Sequence, residues 1–238
     1  MSGGDALVIL VVMTVGAVIQ GAVGFGANLV AAPLLVLIDP ELVPGPVLVA
    51  GLALNLLMVV REREHDGMRS TGWALGGRVP GTLLGALALV TLPADGLTVA
   101  FAVLILLGVA LSVGGLRVRR TPTTLVGAGT LSGFMGTVVG IGGPPIALVY
   151  ADATGPVLRG SLARYFTLGG LFSIVTLVAV GRFDIGLLLT SLALVPGVVV
   201  GFLLSRRLNR FLDVGRTRLA VLVVSGASAV VALARVAV

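Results

Sequence analysis

GFMGTVVGIGGPPI, residues 133–146, sets five glycines and two prolines among residues that are otherwise mostly apolar. Its counterpart near the start of the chain is QGAVGFGANLVAAP, residues 20–33. Each runs from an apolar helical stretch into a Gly-x-Gly break and then into a second, shorter apolar stretch. Lipid leaves no peptide group without a partner, so a helix broken at membrane depth must be buried in protein or line a cavity. Paired breaks in the two halves of a membrane protein are the sequence-level pointer to a transport site.

The surrounding composition puts both stretches in a membrane. Of 238 residues, 57% are hydrophobic and 11% charged. Apolar runs near twenty residues recur from end to end, long enough to cross ~30 Å of hydrocarbon at about 1.5 Å per residue. The expected fold is all-α and polytopic, with about ten segments. The first five fall at 5–20, 27–38, 45–61, 71–91 and 97–115, the second five at 122–139, 144–152, 161–180, 185–205 and 217–236. The second and seventh are too short to span comfortably, so they read as half-helices, each forming with the segment before it a hairpin that enters and leaves on one side. The only charge ahead of the first apolar run is Asp5, whereas a secretory signal would have a basic n-region there. The first run therefore reads as a retained helix. There is no cysteine, so disulfides and thiol chemistry are excluded.

A shift of 116 positions superposes the two halves. Gly24 falls on Gly140, Gly26 on Gly142, and VPGTLLG (79–85) on VPGVVVG (195–201). The chain thus divides into two membrane units, 1–118 and 119–238. The formal charge of +6 does not point to nucleic acid, because the basic residues sit at the ends of apolar runs, where they orient the chain. Arg61, Arg63 and Arg69, then Arg117, Arg119 and Arg120, then Arg206, Arg207, Arg210, Arg216 and Arg218 mark three cytoplasmic loops. The connections at 39–46 and 92–96 carry only Asp39, Glu41 and Asp95, which suits the outside. With five segments per unit, the units are inverted and both termini are external. Arg182 and Arg235 run against this scheme. Pro80 and Pro196 would cost a soluble helix several kcal/mol. Beside them Gly81, Gly85, Gly197 and Gly201, and with them Gly169 and Gly170, read as devices for close helix packing.

No constellation for catalysis is present. His65, the single histidine, lies in a charged loop, and no acidic residue falls mid-segment. Asp152 and Asp184 lie at segment ends, where capping is the usual explanation. The chain reads as no enzyme, with no metal and no cofactor. A proton-coupled carrier would show an intramembrane carboxylate or histidine, and none appears. What remains is Arg, amide and hydroxyl groups, and the starts of two half-helices, which suit an anion. Asn28 lies at one start, and Pro144 at the other, where a missing N–H costs nothing. Arg78 and Arg164 have two readings: snorkelling to the surface or a place on an anion path. Gln20, Asn55, Ser132, Thr137 and Thr167 are candidate polar lining, although membrane Ser and Thr commonly bond their own backbone.

The two glycine-rich stretches and the paired Val-Pro-Gly-x-x-x-Gly segments resemble the TauE/SafE sulfite exporter family over nearly the whole chain. The resemblance implies a transporter of the bacterial inner membrane for small sulfur-containing or organic anions such as sulfite, sulfoacetate or related sulfonates. It also marks Gly24, Gly26, Gly140, Gly142 and Gly143 as family motif positions. The first motif has Ala27-Asn28 where the second has Gly143-Pro144, so the two half-sites are not equivalent. An inside-negative potential drives an anion outward at ~2.3 kcal/mol per charge per 100 mV, which fits export or uniport. The rivals are a carrier of another small solute on the same scaffold and a membrane scaffold subunit without substrate. A homo-oligomer is compatible with the sequence, though nothing marks an interface.

Overall fold

A computed structural model describes residues 3–63, 68–113, 118–153 and 155–208. Within them lie nine α-helices and no strand: α1 (Gly3–Val23), α2 (Ala27–Ile38), α3 (Gly45–Arg61), α4 (Met68–Thr91), α5 (Ala94–Val113), α6 (Pro122–Val139), α7 (Gly143–Val149), α8 (Gly155–Ala179) and α9 (Ile185–Leu208). Five of them, α1, α4, α5, α8 and α9, are long and apolar enough to cross a membrane. Their outer faces carry large apolar side chains, among them Leu7, Leu83, Leu171, Leu189 and Leu203, all more than half exposed. A surface so apolar belongs against lipid. The expected segments 27–38, 45–61 and 122–139 coincide with helices, and the expected tenth, 217–236, lies outside the described residues, as do His65, Arg117, Arg210, Arg216, Arg218 and Arg235.

Local chemistry sets the ends. Thr121 and Thr124 cap each other's backbone N–H groups at the start of α6, with Pro122 at the first helical position. Asp184 accepts from the Leu187 N–H at 2.9 Å and caps α9. Helix α8 begins at Gly155, six residues before the expected 161, because Pro156 starts a helix that then runs through Arg159. Helix α7 is shorter than expected and stops at Val149.

Helix α4 packs along α6, and α9 along α1, pairs that exchange under the 116-residue shift. Both contacts are backbone to backbone. A Cβ at Gly77 or Gly81 would overlap the carbonyls of Val126 and Thr130, and one at Gly129 or Gly133 those of Ala74 and Arg78. A Cβ at Gly201 would overlap the Thr14 carbonyl, and one at Gly197 would stand 2.8 Å from that of Leu10. Thr130 donates to the Gly77 carbonyl at 3.0 Å, and Thr14, its counterpart in the repeat, to that of Gly197 at 3.2 Å. Gly81, Gly85, Gly197 and Gly201 therefore do act in packing. Gly169 also packs closely, against the Arg78 side chain, whereas Gly170 does not fit that expectation, since a Cβ there would meet nothing within 4 Å and the residue lines the cavity described below.

Both short helices fold back. After Gly24 and Gly26, with φ of 106° and 111°, α2 returns along α1, so that a Cβ at Gly16 would stand 2.9 Å from the Ala27 carbonyl. After Gly140, with φ of 73°, α7 returns along α6, and Ser132 donates to the Gly142 carbonyl at 2.6 Å. The hairpin closes where it began: Arg120, just before α6, pairs with Asp152 beyond α7 at 2.9 Å and lies over the Tyr150 ring.

Candidate functional site

The two returns meet at a cavity of about 50 Å³. That is several times the ~10–15 Å³ that a single water needs on this measure, so a small ion or a few waters fit. Gln20, Gly26, Asn28, Asn55, Arg78, Gly140, Gly142, Gly143 and Pro144 all line it. Its apolar wall includes Phe25, Leu48, Ile141 and Phe166.

At the α2 start, amides do the capping. Gln20 accepts from the Ala27 N–H at 3.2 Å through its side-chain carbonyl and donates to Asn55 at 2.9 Å, while Asn55 donates to the Gly51 carbonyl at 2.7 Å. Asn28 reaches across to the other hairpin and donates to the Gly140 carbonyl at 2.9 Å. Its own carbonyl oxygen is buried with no hydrogen-bond partner.

The α7 start is built differently. The position equivalent to Gln20 is Gly136, and the guanidinium of Arg78 occupies the space beside it: Nη2 would stand 3.2 Å from a Cβ at Gly136 and Nη1 3.5 Å from one at Gly142. Arg78 is 3% exposed. It donates to the hydroxyls of Ser132 and Ser173, each at 3.4 Å, and lies 5.1 Å from the Tyr165 ring centroid. Its Nε has no hydrogen-bond partner, and among the described residues no carboxylate pairs with it. Gly169 makes the seat, since a Cβ there would overlap the guanidinium itself. Pro144 and Pro145 leave the first turn of α7 with two fewer N–H donors. Positive charge at this start therefore comes chiefly from Arg78.

Four of the expected residues lie elsewhere. Gly24 packs against Arg159. Thr137 sits behind the wall, its hydroxyl 3.2 Å from that of Ser173. Arg164 donates to the carbonyls of Glu62 and Gly160 at 3.3 and 3.0 Å, away from the cavity. Thr167 bonds its own helix at Ala163. Ser173 carries no signal of its own in sequence, where a mid-helix serine ordinarily bonds its own turn, and Gly169 and Gly170 read there only as packing positions.

The model of the sulfite exporter TauE/SafE family matches residues 8–232. The chain belongs to the TauE/SafE family. No curated protein and no solved structure matches it. As a TauE/SafE protein with five helices among the described residues long and apolar enough to span, it is a multi-pass membrane protein of a family of exporters. In this TauE/SafE chain Gly26 from one hairpin and Gly140, Gly142 and Gly143 from the other line one cavity, and among the described residues Arg78 is the one cation that lines it.

Proposed function

We propose that this protein carries a small anion, sulfite or a related sulfur oxyanion, across the bacterial inner membrane, with Arg78 as its principal charged contact. The observation that carries this reading is a guanidinium buried at the cavity wall without a carboxylate. An unpaired charge taken out of water costs several kcal/mol, and an anion beside it would offset that cost. Asn28, Gln20, Asn55 and the backbone at Gly26, Gly140, Gly142, Gly143 and Pro144 would complete the site. Thr137 supports Arg78 through Ser173, and Gly24 shapes the turn.

The carrier would have ten membrane segments in two inverted units, 1–118 and 119–238, with both termini outside. The exchange of helix pairs under the 116-residue shift supports this arrangement. So does the distribution of charge: Arg61, Arg159, Arg164 and Arg206 lie at one end of the bundle, while Asp39, Glu41 and Asp184 lie at connections of the other. An inside-negative potential would then drive the anion outward without a coupling ion.

The test is thermal stabilisation of the purified protein by sulfite, sulfate, thiosulfate, sulfoacetate, taurine and small carboxylates. A ligand at a hundred times its dissociation constant adds ~2.7 kcal/mol of stability. Sulfite is expected to raise Tm in the wild type and not in Arg78→Gln. A neutral solute that raises Tm equally in both proteins would overturn the anion reading.

A further inference from the structure

We propose that a groove between the N-terminal ends of α4 and α6 is a binding site for the headgroup of an anionic phospholipid. The groove holds about 570 Å³ and is lined by Arg69, Ser70 and Trp73 from α4, by Arg119, Arg120 and Thr121 ahead of α6, and by Pro122, Leu125 and Asp152. Three arginines face one aspartate, so the lining is positive. Asp152 is already engaged by Arg120 at 2.9 Å. Arg69 and Arg119 have no ion pair among the described residues, and both stand exposed.

A soluble anion would need no more than these cations. The remaining geometry points to a lipid. Trp73 is 46% exposed one turn beyond Arg69, and an indole beside a row of arginines is the pattern of a membrane–water interface. From Trp73 the outer face of α4 continues into Pro80, Leu83, Leu87 and Val90, all exposed. An acyl chain lying along that stripe would place its phosphate at Arg69 and Arg119, with Ser70 and Thr121 as hydroxyl donors. Basic pockets between membrane helices bind such headgroups by this division of labour. The site is separate from the central cavity and independent of what that cavity carries.

Trp73 is the single tryptophan of the chain, so its fluorescence reports on this groove alone. The experiment reconstitutes the full chain in bilayers of mixed composition and compares quenching by acyl-brominated phosphatidylglycerol with quenching by acyl-brominated phosphatidylcholine. The expected result is a preference for the anionic lipid of roughly twenty-fivefold, falling close to one in the Arg69→Gln/Arg119→Gln variant. Each arginine accounts for roughly fivefold, the equivalent of ~1 kcal/mol per basic residue near a charged surface. A ratio of one in the wild type overturns the proposal, as does an undiminished preference in the variant. Soluble glycerol phosphate at millimolar concentration is expected to leave the ratio unchanged; if it abolishes the preference, the groove is a site for free phosphate esters and the lipid assignment fails. Should the variant not reconstitute, the wild type decides through native mass spectrometry. Retention of one phosphatidylglycerol per chain in preference to phosphatidylcholine supports the site, and equal loss of both rejects it.

Discussion

Arg78 owes its position to three small residues. Gly169 leaves room for its guanidinium, Gly136 leaves room for Nη2, and Gly133 lets α6 approach the Arg78 carbonyl. Two serine hydroxyls at 3.4 Å and an aromatic face are weak compensation for a buried cation. The ligand-free protein should therefore gain from losing the charge. Arg78→Met, close in length and apolar, is expected to keep or raise the ligand-free Tm while abolishing stabilisation by sulfite. A ligand-free Tm lowered by more than a few degrees would mean that the guanidinium is structural. Gly169→Ala tests the seat rather than the charge. Its Cβ would displace Arg78 without removing it, so sulfite affinity should fall by at least tenfold, about 1.4 kcal/mol, in a protein that still folds. Isothermal titration on the purified variant reads this directly, and unchanged affinity would show that the guanidinium has another place to go.

At the level of helices, the two hairpins share a backbone plan and differ in what fills it. Gln20 and Gly136 are equivalent by the 116-residue shift, as are Asn28 and Pro144, and Arg78 and Leu194. One hairpin start is thus capped by amides and the other faces a cation, which turns a near-symmetric scaffold into a site with one charged side. Much of this plan was legible in sequence because glycine and proline punctuate it: the bounds of α2, α3 and α6 follow from Gly26, Pro44 and Gly45, and Thr121 and Pro122. The start of α8 was not legible, since Arg159, Ser161 and Arg164 interrupt the apolar run that would have announced it. Nor was the role of Ser173 or Gly169, because what they touch comes from α4, ninety or more residues away. The packing glycines were legible, and they make a sharp prediction. Gly81→Val drives two methyl groups towards the Thr130 carbonyl, a backbone atom that cannot step aside. Overpacking of this kind costs about 1–3 kcal/mol or more, and detergent-purified protein should melt ~5–10 °C lower. Gly127→Ala, on the exposed face of the same α6 with nothing within 4 Å of the new Cβ, should instead hold or gain up to ~1 kcal/mol through reduced backbone entropy. Equal losses in both would mean that helix propensity, not close approach, governs these positions.

Across the whole molecule, four helix ends at the arginine-rich end are joined through one buried carboxylate, and the ion pairs are expected to limit access to the cavity from that side. Glu62 accepts from Arg61 Nε and from Arg159 Nε, each at 2.9 Å. Arg61 also donates to Ser205 at 2.8 Å and to the Gly21 carbonyl at 2.6 Å, and stacks over Phe202. Through these bonds the ends of α1, α3 and α9 and the start of α8 are drawn together below the cavity. Removing the charge while keeping the shape, Glu62→Gln, leaves Arg61, Arg159 and Arg164 to repel one another at close range. An interaction of ~1.4 kcal/mol lost from the closed form multiplies the open fraction tenfold. Because the chain has no cysteine, Leu52→Cys places a single thiol at the cavity wall. Its reaction with a membrane-impermeant thiosulfonate added from the arginine-rich side should be about tenfold faster in the Glu62→Gln background. Arg182 lies at the opposite end, where it donates to the Leu89 carbonyl. Arg182→Gln should therefore leave the rate from the arginine-rich side unchanged. Identical rates in the Glu62→Gln and parent proteins would show that the Glu62 ion pairs do not limit access to the cavity from that side.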